Sequence, residues 1–306
     1  MTEYLPEGYL FETAENRAAL SSFYALNDAM TAGKLLEAPC VICNSRHDLI
    51  VDMGCMRGVI PREEGAIGIA EGTTKDIALI SRVNKPVVFI ITDFRRDEQG
   101  ELYAVLSRRA AQEKCRAEYL DRLTPGDIIP ARVTHLEPFG CFVDIGCGIP
   151  SLIPIDMISV SRISHPRDRF RVGQDIYAVV RSLENGRICL SHKELLGTWA
   201  ENVEMFEPGE TVTGIVRSIE DYGIFVELAP NLAGLAELRP DVEVNSCASV
   251  YIKAMIPEKM KIKLIIVSTS ENAFCGNELK YFRTSGHIDS WVYSNGASGK
   301  LIQTIF

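Results

Sequence analysis

The sequence predicts a mainly β chain of three tandem small barrels, with an N-terminal helix, helical connectors and a C-terminal hairpin extension. Three observations carry this expectation. GDIIPARVTHLEPFGCFVDI from Gly126 recurs without a gap as GETVTGIVRSIEDYGIFVEL from Gly209, and such self-similarity fixes an architecture before any single residue is interpreted. Both copies alternate apolar and polar residues, as half-buried strands do. A weaker copy lies upstream. There Asp52-Met53-Gly54-Cys55 aligns with Asp144-Ile145-Gly146-Cys147, and Val105-Leu106-Ser107 aligns with Cys189-Leu190-Ser191. Between them Gly58-Val59-Ile60-Pro61 matches Ser151-Leu152-Ile153-Pro154 one residue out of step.

In chain order, residues 1–36 form an arm. Thr13 is a suitable N-cap, Ala19, Leu20, Phe23 and Met30 recur at helical spacing, and Gly33 suits a stop, so one amphipathic helix is expected over 14–32. Residues 37–110 form the degenerate barrel and 111–123 a linker. RRAAQEKCRAEYLDR, from Arg108, is rich in helix formers and mixed charge. The second barrel spans 124–196, a linker with a Trp in its first turn spans 197–206, and the third barrel spans 207–270. In 271–306, HIDSWVYS and KLIQTIF flank the turn sequence Asn295-Gly296-Ala297-Ser298-Gly299, which reads as a hairpin. Strand alternation puts Trp291 and Tyr293 on one side of it, to pack on the third barrel or to add a stacking surface.

Composition excludes several classes. The 306 residues suit two or three domains, and a hydrophobic fraction of 46% lets each bury a core. A net charge of -9 argues against coating nucleic acid through bulk charge. The charge is uneven, however: residues 124–196 hold eight bases and eight acids, with Arg162, Arg167, Arg169 and Arg171 on one segment. Nine cysteines without an export signal read as reduced thiols. Cys40 and Cys43 form a CxxC, yet a tetrahedral zinc site needs two more ligands and no second pair is spaced to supply them. No metal or other cofactor is expected. No apolar run approaches a membrane span and the N-terminus lacks a signal core, so the expected location is the cytoplasm. Phosphate-loop, nucleophile-elbow and HExxH motifs are missing and the five histidines are scattered. A binding protein is expected rather than an enzyme.

Binding chemistry centres on four rings. Phe139 and Phe142 flank Gly140-Cys141, and Tyr222 and Phe225 flank Gly223-Ile224. Rings three apart on a regular strand would face opposite ways; a bulge or turn at the glycine is expected to re-aim one. Cys141, Val143 and Ile145 then alternate inward, leaving Phe142 and Asp144 outward, and Ile224, Val226 and Leu228 repeat this below Tyr222 and Phe225. Exposed rings and nearby cations are what single-stranded nucleic acid requires, for base stacking and for phosphates. The competing expectation is that the rings are core. In the first copy His47 and Ile50 take the ring positions. The third copy lacks about nine residues of the second, including its arginine segment, and instead carries Lys253, Lys259, Lys261 and Lys263. Lys253, Lys261 and Lys263 fall at even steps within their strands and can share one face.

At these residues the chain resembles the ribosomal S1 domain, the RNA-binding repeat of the oligonucleotide/oligosaccharide-binding (OB) fold. The resemblance rests on the Gly-initiated strand, the aromatic-Gly-x-Phe element, the acid-containing strand after it and the closing Gly186-Arg187-Ile188-Cys189-Leu190-Ser191. It implies five strands per barrel and outward rings. It also implies that Arg187, and Lys261 in the third copy, lie beside those rings. Leu183 and Pro257 stand where the family's acidic partner is usual, and Pro154 and Glu237 where it often has His. A stacking pair and a cation survive; base-specific hydrogen bonding is not implied. The resemblance further implies messenger RNA as ligand at the small ribosomal subunit, and ribosomal proteins as partners of the N-terminal region. The alternative is a protein-interaction scaffold in an RNA-processing or degradation assembly.

Overall fold

A computed structural model describes residues 4–184, 186–270, 279–296 and 301–306. The chain divides into two units, Met1–Leu123 with Asp144–Pro150, and Thr124–Val143 with Ser151–Phe306. Its strands close three five-stranded barrels.

The first barrel is built from β1 (Leu36–Cys43), β2 (Leu49–Asp52), β3 (Arg57–Ile60), β4 (Lys85–Arg96) and β5 (Leu102–Ser107), ordered β1-β2-β3-β5-β4. Alternation buries Leu36, Ala38, Cys40, Leu49, Val51, Phe89, Ile91, Ala104 and Leu106 in one core. Two helices lead into it, α1 (Ala14–Ala19) and α2 (Phe23–Thr31). The single expected helix is thus broken. Thr13 does cap α1, but Ser22 Oγ accepts the N–H of Ala25 and starts a second helix, as serine does when its side chain competes for backbone donors. Leu26 and Ala29, rather than Phe23, are the buried residues of α2. A short helix α3 (Ile77–Ile80) precedes β4, and α4 (Arg108–Glu118) comes directly after β5, its N-cap being Ser107.

Glu7 is buried and ion-paired to Arg108 (2.6 Å) and Arg82 (2.9 Å). These guanidinium groups hold its carboxyl below the usual range against the opposing effect of burial. Glu37 accepts the N–H groups of Gly8, Leu10 and Phe11, tying the arm to β1. Burial outweighs these donors and pushes Glu37 up to about 7.

The second barrel comprises β6 (Ile128–Glu137), β7 (Gly140–Asp144), β8 (Pro150–Pro154), β9 (Asp175–Glu184) and β10 (Arg187–Ser191). After it, α5 (Trp199–Val203) opens with a capping box between Thr198 and Glu201. The third barrel comprises β11 (Thr211–Glu220), β12 (Gly223–Ala229), β13 (Leu232–Ala236), β14 (Cys247–Ile256) and β15 (Lys261–Ser270). In the C-terminal segment β16 (Ser290–Val292) pairs with β17 (Gln303–Ile305). The expected hairpin strands are present, and residues 297–299 of its turn sequence lie outside the described residues. Trp291 and Tyr293 are buried in the core shared with the third barrel, so the expectation of an added stacking surface is set aside.

Asn231, fully buried, ties the second and third barrels together. Its Oδ1 accepts from Val160 N (2.9 Å) and its Nδ2 donates to the carbonyls of Lys193 and Gly197 (2.8 Å each). Seven described cysteines are free, but Cys247 is disulfide-bonded, against the expectation that every thiol is reduced. Cys40 belongs to the first barrel's core, where burial pushes its thiol up to about 11. Among the described residues no helix is long and apolar enough to cross a membrane.

Candidate nucleic-acid interface

The ring pairs share one geometry. In the third barrel Glu220 pairs with Gly223, so Asp221 and Tyr222 form the β11–β12 turn and Tyr222 is free of strand alternation. Phe225 lies in β12 between the fully buried Ile224 and Val226 and therefore faces outward. Tyr222 is 69% exposed and meets Phe225 edge to face, 6.0 Å between centroids. In the second barrel Phe139 is 56% exposed and meets Phe142 at 5.9 Å and 90°. Such edge-to-face pairs orient each other while leaving ring faces open.

Of the bulge or turn expected at the glycine, the third barrel shows the turn. The irregularity in this pair of strands lies on β11, between Val216 and Ser218. Glycine is required for a different reason: a Cβ at Gly140 would lie 2.6 Å from Ile153 O, and one at Gly223 2.6 Å from Ala236 O. The neighbouring strand's backbone crosses too closely for any side chain.

Across the third barrel Phe225 pairs with Leu235, and Leu235 with Lys263. The corresponding row of the first barrel is Ile50, Val59 and Val105, aliphatic throughout. His47 there sits in a turn at φ +62°, its Nδ1 3.5 Å from Asp76. Arg187 and Lys261 each stand three residues before the leucine of their closing strand that faces β9 Val180 or β14 Ile252. They are therefore register equivalents, and both are exposed. The same register gives Tyr103 in the first barrel, covered by the Arg57 guanidinium at 5.4 Å. Lys253 and Lys263 are also exposed.

The arginine segment divides. Arg162, Arg167 and Arg171 are exposed. The Arg169 side chain is only 2% exposed and is ion-paired to Glu227, which also receives Arg217 Nε at 2.8 Å. Arg169 is thus a clasp between the second and third barrels rather than a surface cation. The expectation of an outward Asp144 is corrected, and Glu227 at the equivalent position is covered too. Alternation does aim Glu227 away from the core, but Arg169 and Arg217 close over it. Asp144 is buried as well, accepting N–H from Glu7 (2.7 Å), Gly146 (2.8 Å) and Gly148 (3.0 Å). Burial, and next the charge of Glu7, push it up to about 7.

Two neighbours of the rings carry no signal in the repeat pattern. His135, exposed on β6, lies with its ring centroid 6.4 Å from Phe142 and its Nε2 2.6 Å from Glu137. Thr134 Oγ1 donates to Phe142 O at 3.1 Å. Glu184 pairs across the ladder with Arg187, one residue beyond the Leu183 position where an acid is usual. Among the described residues no group of three or more His, Cys, Asp or Glu could hold a metal ion.

A five-stranded barrel with outward rings on its second strand and exposed cations on its closing strand defines an OB-fold nucleic-acid-binding class. Residues 122–193 match the family described as the S1 RNA binding domain. The chain belongs to that S1-domain family and is homologous to bacterial ribosomal proteins bS1. It is 30% identical over 234 residues to the small ribosomal subunit protein bS1 homolog of Bacillus subtilis, covering 73% of this chain and 57% of that one. It is 32% identical over 205 residues to bS1 of Leuconostoc lactis, covering 65% and 46%. The chain thus spans about half the length of these relatives. A solved multidomain protein with nucleic acid binding domains from Streptococcus pneumoniae aligns over 77% of this chain and 74% of its own at 13% identity, with a TM-score of 0.26.

Proposed function

We propose that this protein binds single-stranded RNA through its second and third barrels and acts in translation, on messenger RNA at the small ribosomal subunit. The observation that carries the reading is the recurrence of one edge-to-face ring pair, an exposed Phe139 or Tyr222 against a half-buried Phe142 or Phe225, in barrels whose closing strands carry exposed cations. Bases stack on the rings irrespective of sequence, while Arg187 in one barrel and Lys261 and Lys263 in the other meet phosphates. Arg162, Arg167 and Arg171 add phosphate contacts from the second barrel's loop, and Lys253 from the third barrel. No nucleophile, base or metal enters this reading: the work is binding. The similarity to bS1 proteins supports the ribosomal setting, with proteins of the small subunit as partners of the N-terminal region.

The first barrel, whose equivalent row is aliphatic, is assigned a different role from base stacking. The test is titration of a labelled oligouridine into the full chain, comparing Phe142→Ala/Phe225→Ala with Ile50→Ala. Binding lost in the first variant and kept in the second is expected. Equal loss in both would remove the division between barrels.

A further inference from the structure

The three barrels close alike but their last strands end differently. The cross-strand pairs Ile90–Ser107, Val179–Ser191 and Tyr251–Ile265 occupy the same ladder position, each next to an inward pair, Ile91–Leu106, Val180–Leu190 and Ile252–Leu264. In the first two barrels a serine there ends the strand. Ser107 caps α4 by accepting from Ala110 N, and Ser191 bonds Glu194 in the next turn. Val179 is fully buried, in the core that also holds Leu195 and Ile288. In the third barrel no serine stops the strand, and β15 runs on to Ser270.

Tyr251 is left 37% exposed, with Ile265 at 44% and Val267 at 56%. Lys261, Lys263, Ile265 and Val267 alternate outward along β15, and Tyr251 and Lys253 along β14. None of these three lysines is in an ion pair among the described residues. This face continues the ring face. From Phe225, two strand steps reach Lys263, two residues along β15 reach Ile265, and one more step reaches Tyr251. That path is roughly 20 Å at the usual strand spacing and rise, within the roughly 4–16 nucleotides an OB fold engages.

We infer that Tyr251 is a further base-stacking position, and that the β14–β15 face, flanked by Lys253 and Lys263, carries the single-stranded RNA onward from Tyr222 and Phe225. The position that is aliphatic in the other two barrels, half-buried as Ile90 and buried as Val179, is here an exposed ring beside cations that make no ion pair among the described residues. That combination fits a base and its phosphates better than an apolar protein segment. The inference rests on the RNA-binding function proposed for this chain.

The experiment uses the full chain with labelled oligouridines of about 4 and about 12 nucleotides. Tyr251→Ala is expected to weaken the longer probe by at least about fivefold, the low end of a lost stack, and to leave the shorter one near parent. Tyr251→Phe should bind like the parent. Phe225→Ala should weaken both probes. Tyr251→Thr keeps a strand-forming residue without the ring and serves if the alanine variant folds poorly. Loss with Phe225→Ala and none with either Tyr251 variant overturns this inference alone. No loss with any of them overturns the RNA reading as well. Altered sedimentation of the Tyr251 variants at unchanged RNA affinity makes the face a protein contact and also overturns the inference.

Discussion

Arg169→Ala separates a structural arginine from the three that remain on the surface. Its guanidinium is buried against Glu227, a fully buried carboxylate that still holds Arg217 when Arg169 is removed. A hydrogen bond to a charged group contributes about 1.5–3 kcal/mol, and removal of one partner of a buried pair costs up to about 3–5 kcal/mol when nothing else compensates. With Arg217 still in place, about 1.5–3 kcal/mol is expected. That corresponds to roughly 3–12 °C in a unit of this size, at about 2–4 °C per kcal/mol. The salt dependence of RNA binding should keep its slope, because no phosphate contact is lost. The triple variant Arg162→Ala/Arg167→Ala/Arg171→Ala should behave oppositely. It melts like the parent, and its slope of log affinity against log salt becomes shallower by up to about 2, at about 0.7 per phosphate contact on a single strand. The assays are thermal melting by circular dichroism and fluorescence titration at several salt concentrations. A parent-like melting temperature together with a shallower slope for Arg169→Ala would refute the clasp.

Phe142→Ala and Phe225→Ala should melt near the parent and bind RNA at least about fivefold more weakly each, whereas Val226→Ala, from a fully buried side chain, should lose about 1.5–3 kcal/mol of stability with parent-like RNA affinity when folded; melting and titration of the same samples read both. Asn231→Ala leaves one donor and two acceptors without their partner and should cost about 1–3 kcal/mol per stranded group, measured by urea unfolding; a neutral result would dismiss its tie between barrels. Glu37 and Asp144 have folded values of about 7 against ordinary values of 4.5 and 3.8. The folded chain therefore holds protons that the unfolded chain has released, and the stability this gives is full below the ordinary values and lost as pH rises through 7. The urea midpoint of the first unit's transition should fall between pH 5 and pH 8, and Glu37→Gln should flatten that fall; a midpoint rising over this interval contradicts it.

The repeat made the barrels legible because strand alternation and register are local properties. Cys141, Val143, Ile224 and Val226 read as inward from period two alone, and all are buried. Properties set by distant neighbours were not legible. Asp144 and Glu227 occupy the positions expected of outward residues, yet no local pattern reveals that Glu7 or Arg169 will cover them. Arg169 looks like Arg167 and Arg171 in sequence; only the contact with β12 distinguishes it. The glycine beside each ring stands out in the repeat, but its cause, the neighbouring strand's carbonyl at the Cβ position, is a tertiary approach rather than a bulge. His135 could have been found: it lies on the strand that pairs with the ring strand, where side chains of one face meet. The split between α1 and α2 is visible in Ser21-Ser22, which apolar spacing alone passes over.

Asp144 and Glu227 each come directly after the inward valine of a ring-bearing strand, yet they anchor different things. In the first unit Asp144 gathers backbone N–H groups of the arm and of its own loop. In the second unit Glu227 gathers arginines from two barrels. The second anchor bears on RNA affinity although it touches no base. Two weak stacking sites on a flexible tether find one strand at an effective concentration set by linker length, whereas sites on barrels pinned by Glu227–Arg169 and Asn231 avoid part of the ordering cost. Loosening the clasp should therefore lower affinity for a strand long enough to reach both ring pairs, by the same factor at every salt concentration, and leave affinity for a strand that fills one pair unchanged.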